Sequence, residues 1–267
     1  MRPSPSIMRL GIVATILLLW QVVPVVFGIP EILLPSLTRT LSAGFESRGL
    51  FLEHFLITAW ESALAVVISC SLGLVLGALV GASRTVSRTI VPLASMLYAI
   101  PLVVLYPLFT VWLGIGSASK LAFGSFYGFV PTFLASAAGV STIPSNLRLV
   151  GRSLGATSLQ ELVGIVLPAA IPSIVSGVRL GGALAIVGVI AAEMLTSSEG
   201  LGYLISQFRT MLDAPAVFFS VLCVIALVVL FEILMRTLDA GCRRRWAPWK
   251  SLELAVSGEQ PAAAAAG

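Results

Sequence analysis

Six long apolar stretches, at roughly 8–27, 56–81, 90–113, 120–141, 170–195 and 215–238, constrain this chain more than any other feature. A helix rises about 1.5 Å per residue and a bilayer's hydrocarbon core is about 30 Å thick, so each stretch is long enough to cross it. Backbone N–H and C=O groups find no water there, which leaves the helix as the form that satisfies them within one segment. The composition agrees. Of 267 residues, 58% are hydrophobic and only 10% charged, against about 25% charged in an ordinary soluble domain. The expected fold class is therefore all-α, a polytopic membrane protein with six transmembrane helices. A signal peptide is the alternative for the first stretch, since Arg2 and Arg9 precede it. It is long for such a segment, and no small-x-small cleavage site follows, so it is read as a retained span.

The net charge of +4 suggests nucleic acid only until its distribution is examined. The basic residues form short clusters between apolar runs, a pattern that sets membrane orientation. With the N-terminus inside, eleven of the sixteen Lys and Arg residues fall on the inner side: Arg2, Arg9, Arg84, Arg88, Arg148, Arg152, Arg236, Arg243, Arg244, Arg245 and Lys250. Four fall outside (Arg39, Arg48, Lys120 and Arg209), and Arg179 lies within a span. Both termini are thus expected in the cytoplasm, at the bacterial inner membrane.

Cys70, Cys223 and Cys242 have no spacing that suggests a disulfide framework or metal site. His54 is the one histidine, and without a partner set it reads as interfacial. Three regions are expected: 1–55, a first span and outer segment; 56–240, the core with an inner loop at 142–169; and 241–267, a disordered cytoplasmic tail. In the outer segment, Leu37, Leu41 and Phe45 follow Pro35 at helical spacing, which suits either a short interfacial helix or a packed loop. Pro92, Pro101 and Pro107 interrupt the third span and Pro131 the fourth. Each removes a helix hydrogen bond. Such helices line a pathway and move, or they reflect the general frequency of proline in membrane helices.

The inner segment from Ser145 to Pro172 carries the functional argument. Leu147, Val150, Gly151 and Leu154 recur at helical spacing, with Arg148 and Arg152 on another face. Gly155 permits a sharp turn. Ser158 and Glu161 form a Ser-x-x-Glu capping box, so a second helix is expected to start there. Leu159, Leu162, Val163 and Val166 give it an apolar stripe, and Pro168 and Pro172 mark the entry to the fifth span. Two short amphipathic helices joined by a glycine suit insertion into a groove on a soluble partner.

Gly155, Ile165, Leu167 and Pro168 match the G…I-x-L-P half of a signature loop, and here the chain resembles the permeases of binding-protein-dependent ABC importers. RSLGA at 152–156, VLPAAIP at 166–172, GVRL at 177–180, AEML at 192–195 and GLGY at 200–203 resemble the nitrate/sulfonate/taurine type. So do LPS at 34–36, Ile100-Pro101, Pro107-Leu108 and LGIG at 113–116, and the likeness covers roughly 30–238. One departure is visible. The family loop usually opens with Glu-Ala-Ala, where this chain has Leu149, Val150 and Gly151.

The resemblance implies a type I importer permease, half of a channel formed as a permease homodimer. Two ABC ATPase subunits would bind below and a periplasmic solute-binding protein would dock above. Arg152, Ser153, Leu154, Gly155, Ala156, Thr157, Ser158, Leu159, Gln160 and Glu161 would form the ATPase-coupling element. No Gly-x-x-x-x-Gly-Lys-Ser/Thr is present, so no ATP site of that kind is expected and ATP would be used by the partner. No metal or other cofactor is expected in this chain.

Charges at membrane depth cost about 3 kcal/mol each on insertion scales, which marks Glu61, Arg179, Glu193 and Glu232. Glu61 and Glu232 lie near span ends, where helix-end placement is the plainer reading. Arg179 either attracts an anionic solute or reaches the cytoplasmic interface. Glu193 either pairs structurally or meets the docked binding protein. With Tyr98 and Pro101 at the break of the third span, Glu61, Arg179 and Glu193 are the pathway candidates. A membrane enzyme would need a nucleophile–base pair or metal cluster that this chain lacks in its sequence. A proton- or sodium-coupled transporter would show matching broken helices in two halves. The cargo stays open between a small anion (nitrate, a sulfonate, taurine, bicarbonate) and a pyrimidine-type or other aromatic solute. Thr58 and Glu61 stand where many anion-type relatives would show Ser and Arg, and favour the latter.

Overall fold

The computed structural model describes residues 5–257. Every regular element among them is helical. The chain opens with α1 (Pro5–Val26) and α2 (Leu37–Glu46), followed by the long α3 (Arg48–Ala82). Ser36 caps α2, its hydroxyl accepting from the Arg39 N–H. Of the helix and the packed loop that the sequence allows here, the helix is the one present. It buries Thr40 and Gly44, whereas Leu41 and Phe45 face outward.

The third apolar stretch is broken, as its prolines predict. α4 (Arg84–Ala99) ends at Ile100, a 3-10 turn covers Leu102–Leu105, and α5 (Tyr106–Leu113) follows. The residue before a proline avoids the helical region, and Ile100 takes an extended conformation with ψ 137° ahead of Pro101. α6 (Ser117–Ser141) carries Pro131 within it. α7 (Ser145–Ser153) and α8 (Ser158–Glu161) fill the inner segment, and α9 (Leu167–Thr196), α10 (Leu201–Thr210) and α11 (Ala214–Ser257) complete the chain.

Four stretches are long and apolar enough to cross a membrane: Arg48–Ala82, Ser117–Ser141, Leu162–Thr196 and Ala214–Asp239. The bent pair α4–α5 makes up to five. The apolar part of α1, Leu10–Val26, is shorter, so the first of the six expected spans is a helix below full spanning length among the described residues.

Two further expectations need correction, and one element, α10, lies outside what the apolar runs predict. The fifth span does not begin at its prolines: a π-helical turn at Leu162–Val166 joins α8 to α9 without a break. The Leu167 N–H reaches back to the Leu162 carbonyl, a wider turn that accommodates Pro168 just beyond it. The expected disordered tail is helical as far as Ser257, because extending an existing helix avoids the cost of nucleating one; residues 258–267 lie outside the described residues, as does Arg2.

Contacts sort the chain into two compact units. The first comprises Met1–Ala63, Tyr106–Phe123 and Val187–Val228. Its apolar centre is Phe51, Leu204 and Ala216, with Tyr203, Phe208 and Phe219 packed against them. Phe51 meets Phe219 edge-on at 4.6 Å between ring centroids. Trp20 Nε1 donates to the Pro35 carbonyl at 3.0 Å, tying α1 to the entry of α2.

The second unit comprises Leu64–Leu105, Gly124–Ile186 and Val229–Gly267. Here α3 presents Gly73, Gly77 and Gly81, one every four residues, to the α6 backbone at Phe129, Phe133 and Ala137. A Cβ on Gly77 or Gly81 would stand 2.5 Å from a carbonyl oxygen of α6. Small residues let helix backbones approach this closely, which is how helices associate where lipid provides no hydrophobic drive. α6 and α9 repeat the device, with Gly128 and Thr132 against Gly177 and Gly181.

Candidate functional site

Within the first unit, two successive turns of α3 carry three polar groups on a single face. Thr58 and Glu61 are both buried, and His54 precedes them by a turn. The Thr58 hydroxyl donates to Glu193 Oε1 at 2.8 Å and accepts the Leu201 N–H at 2.7 Å. Glu193 Oε2 accepts the Gly202 N–H at 2.8 Å, so both carboxylate oxygens are held. Gly200 is required here. Its φ is +98°, and a Cβ would fall onto the Glu193 carboxylate. The Gly200 N–H donates to His54 Nδ1 at 2.8 Å. GLGY at 200–203 is therefore a backbone cradle around one acidic side chain.

Beside it, Lys120 of α6 is 1% exposed and pairs with Glu61 at 2.8 Å and with Glu199 at 3.5 Å. Two carboxylates around one ammonium, with Glu193 nearby on its own hydrogen bonds, leave no spare positive charge in this cluster. Bringing a charge out of water is costly unless it is paired, which explains why the lysine sits between acids. Tyr106, at the head of α5, closes the set with a hydroxyl 2.8 Å from that of Thr196.

In the second unit, Arg179 Nε donates to Glu232 Oε2 at 2.7 Å, and Arg236 reaches Glu232 Oε1 at 2.9 Å. Arg179 Nη2 also meets Glu232 Oε1. The guanidinium expected to attract an anion or reach an interface is thus engaged by a carboxylate of α11. Tyr98 and Pro101 are exposed, and the Pro101 carbonyl accepts the Val104 N–H at 3.0 Å as the chain turns.

The structure corrects several residue readings. Glu61 is no snorkelling end residue but half of a buried ion pair, and Glu232 anchors two arginines. Glu193 is held by Thr58 and the Gly202 N–H. His54 has a partner, the Gly200 N–H, and its ring lies 5.8 Å from that of Tyr203. Lys120, placed by its sequence position among the outer charges, is buried; its place at the edge of an apolar run is the signal for that.

The inner segment follows its sequence closely. α7 ends at Ser153, and Gly155 turns the chain with φ +80°. α8 starts at Ser158, one residue earlier in capping terms than expected. The capping box is Thr157-x-x-Gln160: Gln160 Oε1 accepts the Thr157 N–H at 2.8 Å, and Thr157 Oγ1 accepts the Gln160 N–H at 3.4 Å. Glu161 is buried. Gly151, where the family loop has alanine, lies against the tip of the Ile165 side chain. Leu149 and Leu154 are 65% and 84% exposed. The side chains of Arg148, Val150, Arg152, Ser158 and Leu159 lie outside the described residues.

This is the architecture of a helical membrane transport subunit, with charge neutralised inside and a short-helix element at one loop. Residues 69–244 match the family of the binding-protein-dependent transport system inner membrane component, and the chain belongs to that family. It is 30% identical over 242 residues to the riboflavin transport system permease protein RibX of Chloroflexus aurantiacus, covering 89% of this chain and 90% of that one. It is 28% identical over 244 residues to the aliphatic sulfonates transport permease protein SsuC of Bacillus subtilis, covering 89% and 86%. A chain of the MetNI methionine ABC transporter, solved in inward facing conformations, superposes with a TM-score of 0.66 at 18% identity, covering 73% of this chain and 97% of that one. The fold is that of a type I ABC importer permease, and the chain is a transport subunit rather than an enzyme.

Proposed function

We propose that this permease couples to a separate ABC ATPase pair through Ser145–Glu161 and pairs with a second copy of itself to enclose the solute path. The exposed apolar side chains Leu149 and Leu154 carry the reading. Both precede the turn at Gly155 on an amphipathic element, and a partner groove is what covers such residues. With both termini in the cytoplasm, as the arginine distribution favours, this element faces the ATPase and the opposite side receives a solute-binding protein. ATP-driven closure of the partner would move α7 and α8 and switch the spans between inward-open and outward-open states. As candidate cargo, the relatives' names suggest a sulfonate-like anion or a heteroaromatic solute.

The test is the ATPase activity of the assembled complex in response to solute-loaded binding protein. Gly155→Arg and Leu154→Asp should abolish that stimulation while the partner's own hydrolysis persists. Full stimulation in both variants would refute the coupling role.

A further inference from the structure

One face of α10 has no part in holding Glu193. The helix buries Leu201, Gly202 and Leu204. Tyr203, Ser206, Gln207 and Thr210 recur at the spacing of a different helix face, and all four line a cleft of about 330 Å³. Glu193, 1% exposed and fixed by Thr58 and Gly202, also contributes to the lining. A polar stripe of this kind is unusual in a chain that is 58% hydrophobic.

A second observation lies at the end of the same helix. Leu212 has φ +59°, a left-handed conformation unfavourable for a residue with a β-carbon. It is held by its N–H to the Arg209 carbonyl at 3.2 Å and by the Asp213 N–H to the Phe208 carbonyl at 3.0 Å. Neighbouring Met211, from this corner, lines the cleft. Backbone strain held in place this way clusters at functional sites.

The chemistry of the lining discriminates between cargo classes. Four hydroxyls, of Ser197, Tyr203, Ser206 and Thr210, and the Gln207 carboxamide line it; Ser197 and Thr210 already donate to the Glu199 and Ser206 carbonyls and are left as acceptors, while the others both donate and accept. The tyrosine ring and the methionine thioether are surfaces for a flat ring. No lysine or arginine lines the cleft, and the one carboxylate at its edge, Glu193, is buried on its own hydrogen bonds. A nitrate or sulfonate would meet no positive charge there. We propose that the cleft is a solute subsite for an uncharged heteroaromatic ring bearing amide or amino groups, of pyrimidine-like chemistry. The volume lies within the range of small-molecule sites. This rests on the transport reading above.

The test is equilibrium binding of radiolabelled cytosine to the complete transporter in lipid nanodiscs, with nitrate and taurine as competitors. Saturable cytosine binding is expected, unaffected by either anion and weakened at least tenfold in Gln207→Leu. As a check independent of that variant's folding, Ser206→Cys, in a chain with Cys70, Cys223 and Cys242 changed to serine, should react with a thiol reagent more slowly when cytosine is present. Displacement by nitrate or taurine, unchanged binding in Gln207→Leu, or no protection of the cysteine would overturn the proposal. A wild-type chain that recruits no ATPase would defeat the transport reading instead. One that recruits the ATPase but binds no cytosine defeats the subsite alone.

Discussion

The Thr58 hydroxyl donates to Glu193 while accepting the backbone N–H of Leu201, so one side chain of α3 secures both the carboxylate and the chain that wraps it. Removing that hydroxyl leaves two buried polar groups without their partner. Each such loss costs about 1–3 kcal/mol. Thr58→Val, close to threonine in shape, should therefore lower the thermal midpoint of the purified complex by several degrees, and Thr58→Ser should restore most of it. Equal midpoints for Val and wild type would contradict the arrangement.

Lys120 and Glu61 permit a double-mutant cycle. Lys120→Met strands two carboxylates, and breaking a buried pair from one side costs about 3–5 kcal/mol. Adding Glu61→Gln removes one of those stranded charges. The double variant should be more stable than Lys120→Met alone in a denaturant or heat titration of folded complex. A double variant that is the less stable of the two would rule out direct pairing.

Steric demands on α3 separate cleanly from composition. Gly77→Leu drives a side chain into the α6 backbone, and assembled permease should fall severalfold in membrane extracts. Gly49→Leu, on the same helix with open space around it, should accumulate as wild type. Quantitative immunoblotting of the membrane fraction distinguishes them.

Arg179 can be tested for a cargo role directly. Because Glu232 already occupies its guanidinium, Arg179→Gln should lower the amount of folded permease and leave the KM for transport per assembled complex unchanged. Arg179→Gln with Glu232→Gln should recover yield. A raised KM in the single variant, persisting in the double, would return Arg179 to the solute path.

How far the sequence is legible depends on the range of the interaction. The later apolar runs, the break at Ile100-Pro101 and the turn at Gly155 are set by neighbouring residues, and each is found where the local pattern puts it. Pairings are different. Lys120 meets Glu61 and His54 meets Gly200 only because packed helices bring distant residues together, and no spacing rule anticipates that. α10 escapes a search for membrane-length runs because it has 10 residues and divides them between a buried face and a polar one. The capping box shifts by one residue because Thr157/Gln160 and Ser158/Glu161 both satisfy the pattern; the structure selects the first.

The π turn at Leu162–Val166 puts the helix on its two sides out of phase by one residue, roughly 100° of rotation. Cutting a single residue from this turn would leave an unbroken α-helix while swinging Glu161 and everything before it around the axis. α9 would keep its own contacts with α6. The extra residue thus acts as an angular offset, and the direction in which Leu154 points is encoded more than one helical turn away from Leu154 itself.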